Sequence, residues 1–342
     1  MRPISMQAFA LAAFIGFTAT PSVHAEIDPA GAVKTDTCAS NPELLGVSRV
    51  VEVDTSGGAT IGGDQKRAMH FLNDGEVVLT FDDGPSKAST GAILKALADQ
   101  CTKATFFMVG QMALADPGMV KEVAAGGNTI GTHTWSHKNL RFARGDTLNQ
   151  QIESAISMVS KANGAPIAPL FRFPYLSSNG KDDAYLKSRN IGAVWVDIDS
   201  KDYLTRDPEV VKNRILAQLA KEKKGIILMH DIHAWTAKML PDLLAALHEK
   251  GFKVVHMVAK EPVSTLASYD AAADKAIAAK TAARKANPMA PRSLVWSMTP
   301  EPSKHRSWKR GRVQAKADTT EKGRKADKPK SENFPWQFNF FN

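Results

Sequence analysis

The sequence of 342 residues has very little cysteine: only Cys38 and Cys101, which lie 63 positions apart. This number and spacing exclude a zinc-finger module, which needs ligand pairs a few residues apart. If the chain is exported, one disulfide between the two is expected, because extracytoplasmic compartments are oxidising. Two unpaired thiols are the alternative.

Other absences exclude whole classes of protein. The sequence has no internal repeat, so a solenoid is excluded. It has no P-loop, and the glycines between Gly126 and Gly131 lack the spacing of a dinucleotide-binding turn. After the N-terminal region no apolar run is long enough to span a bilayer, so no transmembrane segment is predicted in the mature chain.

The N-terminus has the pattern of an export signal. Met1 and Arg2 form a short basic start, an apolar run covers Met6–Phe17, and Val23–Ala25 resembles a small-residue cleavage site. We therefore predict a signal peptide over residues 1–25 and a periplasmic or extracellular protein. An uncleaved anchor is the alternative.

The formal net charge of +9 comes from one end of the chain. Residues 271–330 contain 16 Lys and Arg against 5 Asp and Glu, a net charge of +11, so all other residues sum to −2. We expect residues 263–342 to form a basic, low-complexity, mostly disordered tail, with a helix over Ala271–Ala286. The tail would contact an anionic envelope surface or serve only as a solvated linker. No nucleic-acid partner is indicated.

Regular alternation begins after an N-terminal extension (residues 26–70), for which one short strand near Val50–Val53 is predicted. Strands alternating with helices indicate an α/β domain with a parallel sheet, here over residues 71–262. The pattern predicts a small or incomplete β/α barrel, with an open doubly wound sheet as the alternative. Seven runs are predicted as strands: Val77–Phe81, Ala104–Val109, Thr129–Thr134, Leu170–Tyr175, Ala193–Asp199, Gly225–His230 and Lys253–Val258.

Ionisable residues follow several of these strands, where the active site of a β/α barrel forms. Asp82 and Asp83 end the first strand, and a Gly-Pro turn after them can direct both carboxylates into one site. His133 and His137 follow the third strand at a spacing common among metal ligands. With Asp83 they would form a His₂-carboxylate set with an open position. A turn-capping Asp pair and two surface histidines are the alternatives.

Two further strand ends carry groups suited to acid–base chemistry. Arg172 lies inside an apolar run and needs a carboxylate partner such as Asp82. A purely structural salt bridge is the alternative. His230 ends the sixth strand near several acidic residues and is a natural general acid.

Five sequence motifs in order resemble the signatures of the polysaccharide deacetylase (NodB-homology, carbohydrate esterase 4) family. They start at Phe81 (FDDGP), His133 (HTWSH), Arg172 (RFPY), Asp199 (DSKDY) and Leu228 (LMH). The resemblance covers about residues 75–258. It implies a distorted (β/α)₇ barrel and a divalent metal, Zn²⁺ or Co²⁺.

The resemblance also implies roles for individual residues. Asp83, His133 and His137 would bind the metal, Asp82 would be the catalytic base held by Arg172, and His230 would be the catalytic acid oriented by Asp202. Four residues would contact the glycan: Tyr175, Leu228, Tyr203 and Trp235. Tyr203 departs from the family pattern, which usually has Trp there.

The expected activity is metal-dependent removal of N-acetyl groups from amino sugars in a chitooligosaccharide or peptidoglycan type of glycan, with release of acetate. The alternatives are a carbohydrate-binding barrel without activity and a metal amidase that acts on a small amide.

Overall fold

The structure is a computed structural model, and it describes residue 38, residues 41–64 and residues 68–286. The predicted signal peptide and most of the predicted basic tail lie outside these residues.

The described chain forms a parallel α/β fold, as predicted. Every strand pairing in the sheet is parallel. The strands are β1 (Arg49–Val53), β2 (Thr60–Ile61), β3 (Glu76–Asp82), β4 (Thr105–Met108), β5 (Thr129–Thr132), β6 (Leu170–Phe171), β7 (Gly192–Val194), β8 (Ile198–Asp199), β9 (Gly225–His230) and β10 (Lys253–Ala259). The helices are α1 (Lys87–Asp99), α2 (Gly110–Ala115), α3 (Pro117–Ala125), α4 (Thr147–Asn163), α5 (Gly180–Ser188), α6 (Pro208–Glu222), α7 (Ala234–Glu249) and α8 (Ala267–Ala286).

The sheet forms the distorted barrel that the motifs imply. β3 pairs with β4 on one side and with β9 on the other, while β4, β5, β6 and β7 follow in sequence. β8 pairs with β9, and the chain runs directly from β7 to β8. This link completes the circuit of strands. β10 pairs with β1 and with only the start of β3, so it lies beside the circuit.

Alternation along β3 separates two apolar cores. Val77, Leu79 and Phe81 lie in the larger core, together with buried residues of the surrounding helices. Val78 belongs to a smaller core, whose members also include buried residues of β4, β6, β7 and β9. Because successive strand side chains point to opposite faces, Asp82 shares the face of Val78 and lies at the end of that inner stack.

The predicted strand Ala193–Asp199 is two strands in the structure. Between β7 and β8 the backbone changes partner: the Trp195 N–H donates to the carbonyl oxygen of Ile61 (2.8 Å) and the Asp197 N–H to that of Ile226 (3.0 Å). The Asp197 carboxylate also accepts hydrogen bonds from the backbone N–H groups of Gly63 (2.9 Å) and Ile226 (2.8 Å), and so helps to direct the chain from β2 toward β9.

The N-terminal extension contributes more to the sheet than the sequence pattern predicts. β1 pairs with β10, and the two-residue β2 pairs with β7. Cys38 and Cys101 form the expected disulfide. It links this extension to the turn that follows the C-terminal end of α1. The bond is consistent with an oxidising compartment.

The folded part also extends past the predicted boundary at residue 262. Val263 and Ala273 are buried in the larger core, and α8 packs against α4. Lys161 of α4 forms an ion pair with Asp274 of α8 (2.9 Å). Helix α8 thus packs on the outside of the barrel, against α4. Among the described residues no helix is both long and apolar enough to cross a membrane.

Candidate active site

Asp82 lies at the end of β3, directly opposite His230 of β9 in the strand register. Its side chain is buried, and its Oδ1 accepts a hydrogen bond from Arg172 Nη1 at 2.8 Å. Burial raises the pKa of Asp82 to about 6, although the charges of Arg172 and His230 oppose the shift. A carboxylate with a pKa near neutrality can accept a proton during a reaction and release it afterwards.

Arg172 is completely buried and is held by four kinds of contact. Besides Asp82, it donates to Thr80 Oγ1 (2.7 Å) and to the carbonyl oxygen of Val194 (3.1 Å). Its guanidinium carbon lies 4.2 Å from the centre of the Phe107 ring. These contacts offset the cost of burying the charge and fix the position of the Asp82 carboxylate.

Asp83, His133 and His137 converge on one point. Asp83 Oδ1 lies 3.2 Å from His137 Nε2 and 3.5 Å from His133 Nε2. Asp83 and His137 both have left-handed backbone conformations, with φ of 79° and 55°. On a regular strand Asp83 would point away from Asp82. The left-handed turn brings both carboxylates to the same side, and such local strain is typical of functional sites.

The three residues fit a divalent metal. All three ligand atoms lie within 4.8 Å of one another. Asp83 Oδ1 is buried and makes no hydrogen bond within the described residues. His133 Nδ1 lies 2.7 Å from the carbonyl oxygen of Arg172, so this nitrogen carries the hydrogen and Nε2 keeps its lone pair for a cation. Burial lowers the pKa of His133 to about 3, which keeps the ring neutral.

His230 and Asp202 form a tight pair beside this set. His230 Nδ1 lies 2.6 Å from Asp202 Oδ1, and Asp202 Oδ2 accepts from the His230 backbone N–H (2.8 Å) and from Thr236 Oγ1 (2.6 Å). Burial alone would lower the pKa of His230, but the negative charge of Asp202 raises it to about 10. His230 is therefore protonated at neutral pH and can donate from its other nitrogen.

Asp202, His230 and His233 also lie close enough together to suit a cation. The contacts argue otherwise, because both oxygens of Asp202 and Nδ1 of His230 already have hydrogen-bond partners at 2.6–2.8 Å. The group is better described as a histidine held by a buried carboxylate. The free ligand atoms belong to Asp83, His133 and His137.

The four predicted glycan contacts surround these groups. The half-exposed Tyr175 ring lies 4.7 Å from that of His137, and Tyr203 meets His230 edge to face at 5.7 Å. Trp235 donates from Nε1 to the carbonyl oxygen of Asp202 (2.6 Å). Leu228 is buried in β9, opposite Asp199 of β8. The structure thus brings all eleven predicted site residues to the same end of the sheet.

Sequence reasoning missed three members of the site. Thr80 supports Arg172, Thr236 supports Asp202, and the ring of His233 lies 5.8 Å from that of His230. Thr80 lies two residues before Asp82 on the same face of β3, so the alternation of the strand could have revealed it. The contact of Thr236 with Asp202 could not be recognised in the sequence, because it depends on where α7 begins.

Comparison with known proteins agrees with this geometry. Residues 72–194 match the family described as polysaccharide deacetylase. The chain is 30% identical over 159 residues to a chitooligosaccharide deacetylase of Azorhizobium caulinodans. The matched region covers 46% of this chain and 75% of that protein. It is also 30% identical over 180 residues to a peptidoglycan-N-acetylglucosamine deacetylase of Listeria monocytogenes. That match covers 52% of this chain and 37% of the relative.

A solved structure has the same fold. The peptidoglycan deacetylase Bd3279 of Bdellovibrio bacteriovorus superposes with a TM-score of 0.58 at 32% identity, over 65% of this chain and 62% of that one. The chain spans only about a third of the length of the Listeria relative, so the likeness concerns the barrel. On the match to the family, the likeness to these relatives and the shared fold, the chain belongs to the polysaccharide deacetylase family.

Proposed function

We propose that this chain hydrolyses the N-acetyl groups of amino sugars in a glycan and releases acetate. One observation carries the proposal: Asp82 and His230 lie opposite each other on adjacent strands, beside three converging metal-ligand atoms. A base, an acid and a Lewis-acid site are the three parts of metal-assisted amide hydrolysis.

Asp83, His133 and His137 would hold the cation, for which we propose Zn²⁺ or Co²⁺, since imidazole suits both. When bound, such a cation polarises the acetyl carbonyl and lowers the pKa of a water. Asp82 then removes a proton from the attacking water, while Arg172 keeps the carboxylate in place. The backbone N–H of Tyr175 is proposed to stabilise the negative charge on the carbonyl oxygen.

His230 completes the reaction. An amine anion is a very poor leaving group, so the nitrogen must receive a proton as the C–N bond breaks. His230 donates that proton, and Asp202 stabilises the charged ring before the transfer. Leu228 would contact the acetyl methyl group, while Tyr203 and Trp235 would line the path of the glycan.

The family relatives deacetylate peptidoglycan or chitooligosaccharides, and both glycans are candidates for this chain. The disulfide and the wall-directed relatives favour an extracytoplasmic location. Within it, we propose the periplasm or the outside of the cell.

Acetate release from a panel of N-acetylated glycans tests the proposal. Asp82→Asn should lower the rate at least about 100-fold and leave the metal bound, because the amide cannot accept the proton. His133→Ala should lose the metal, whereas His70→Ala, which changes an exposed histidine elsewhere, should keep both metal and activity. Near-full activity of Asp82→Asn would refute the assignment of the base. No acetate from any glycan with metal-loaded protein would refute the function.

A further inference from the structure

Arg206 is an exposed cation close to the proposed acid, and the mechanism does not use it. It lies between the turn that holds Asp202 and the start of α6. Its guanidinium carbon lies 5.6 Å from the centre of the Trp235 ring. Trp235 stacks on His233 (4.4 Å between centroids), and His233 lies 5.8 Å from His230. These successive ring contacts place the guanidinium within reach of a sugar next to the one that is deacetylated.

No described carboxylate neutralises Arg206. Asp207, its neighbour in the chain, uses its side chain to accept from the backbone N–H of Glu209 (3.0 Å) at the start of α6. Glu209 itself pairs with Lys212 at 2.9 Å. Asp202 is buried and bonded to His230. These nearby acids have other partners, and Arg206 forms no ion pair with a carboxylate of the described chain.

The aromatic ring beside Arg206 and the turn before it are held by hydrogen bonds. The Trp235 indole is anchored by its hydrogen bond to the Asp202 carbonyl (2.6 Å), and Arg214 Nη1 donates to the carbonyl oxygens of Ser200 (2.8 Å) and Lys201 (3.0 Å). An arginine placed on an anchored aromatic ring loses less freedom when it binds an anion than one on a mobile loop.

Other exposed cations follow His137 in the chain, and they too lack an ion pair within the described residues. Lys138, Arg141 and Arg144 follow His137 in an exposed loop, and none forms an ion pair with a described residue. Lys201, just before Asp202, is exposed as well. Asp146 is an exposed acid of the same loop, but the loop keeps a net positive charge, which would attract a glycan with carboxylates more than a neutral one.

We infer that Arg206, supported by Trp235 and flanked by His233, forms a subsite for a carboxylate on the sugar next to the one that is deacetylated. The substrate class is then an N-acetylated glycan that carries carboxylates, such as the lactyl groups of muramic acid, rather than a neutral oligomer. This inference rests on the proposed function and specifies its substrate.

The test uses one glycan in two forms: peptide-free strands of alternating N-acetylglucosamine and N-acetylmuramic acid, and the same strands with every lactyl carboxylate amidated. The full-length, metal-loaded chain should prefer the charged form, with a KM about 10-fold lower, a typical gain from one charge-assisted contact. Arg206→Gln should remove this preference and leave kcat and the KM for the amidated form within about 2-fold. Lys121→Gln, which removes an exposed cation on α3, should behave as wild type.

Binding separates this inference from the proposed function. Affinities for both glycan forms are measured by calorimetry with Asp82→Asn and with Asp82→Asn/Arg206→Gln, so the result does not depend on turnover. A charge preference that disappears with Arg206→Gln supports the subsite even if no acetate is released, an outcome that would refute the function alone. Equal affinity for the two forms, or a preference that survives Arg206→Gln, overturns the subsite even if acetate is released.

Discussion

At the scale of single residues, the environment gives two ionisable groups different protonation states at neutral pH. Burial raises the pKa of Asp82 to about 6, and the charge of Asp202 raises that of His230 to about 10 against the effect of burial. At neutral pH the first is therefore largely ionised and the second protonated. These are the states that a base and an acid need before reaction.

These two pKa values predict a bell-shaped dependence of kcat/KM on pH. Activity should rise as Asp82 loses its proton, at pH 6 or below because a bound cation stabilises the carboxylate, and fall at pH 10 or below as His230 loses its own. Initial rates of acetate release at constant ionic strength measure this. An acid limb well above pH 6 would contradict the role of Asp82.

Asp202→Asn tests whether the alkaline limb of the pH profile reports the deprotonation of His230. Without the negative charge the pKa of His230 should fall, so the alkaline limb should move down by about one to three pH units and the acid limb should stay. Thr236→Val removes a hydrogen bond to Asp202 but keeps the charge, and is the matched control with a smaller shift. An unmoved alkaline limb in Asp202→Asn would show that another group is titrating.

The chemistry of residues at strand ends could be predicted from the sequence, and the backbone turns that bring them together could not. The pairing of Arg172 with Asp82 was expected because a buried charge needs a partner. The left-handed turns at Asp83 and His137 leave no mark in residue type, since neither position is glycine. These turns let the ligands meet, and they follow only from the surrounding fold.

At the scale of elements, α8 is expected to support the barrel. Ala273 is buried, Ile277 packs on the larger core, and Lys280 Nζ donates to the last carbonyl groups of α2. The N-terminal N–H groups of α2, from Gly110 and Gln111, donate to the carbonyl oxygens of Thr134 and Trp135 (3.0 and 2.9 Å). Helix α2 thus connects α8 to the loop that carries His133 and His137.

A chain that ends at Pro262 should therefore melt several degrees lower than one that ends at Ala286, because apolar surface on α4 becomes exposed. Within the full chain, Lys280→Ala should lower the melting temperature more than Lys275→Ala, whose side chain is exposed on the same helix. Calorimetry measures both. Equal melting temperatures for the two truncated chains would show that α8 contributes nothing to stability.

Strands with long apolar runs could be predicted from the sequence, whereas the bounds of strands that depend on pairing with a neighbouring strand could not. The runs at β3, β4, β9 and β10 contain four or more residues and were recognised from their apolar pattern. β2 and β8 have two residues each and exist only because a neighbouring strand aligns with them. β8 lies within the single predicted run Ala193–Asp199, and the residue pattern does not show where that run divides. Since α8 packs against α4, we propose that the barrel domain extends beyond residue 262.

At the scale of the whole molecule, metal binding should stabilise the fold, because the ligands come from separate strand ends that unfolding would disperse. Chelation should lower the melting temperature and abolish acetate release, and added Zn²⁺ or Co²⁺ should restore both. A free concentration of 100 times the dissociation constant stabilises by about 2.7 kcal/mol. His133→Ala should show no such response, whereas His70→Ala should respond as wild type. Full activity in metal-free protein would exclude a role for the cation.

The position of the cation can be determined in a crystal of the Co²⁺-loaded chain by anomalous diffraction at the cobalt edge. We expect one strong peak within bonding distance of Asp83, His133 and His137. A peak at Asp202, His230 and His233 instead, or none near either group, would contradict this expectation.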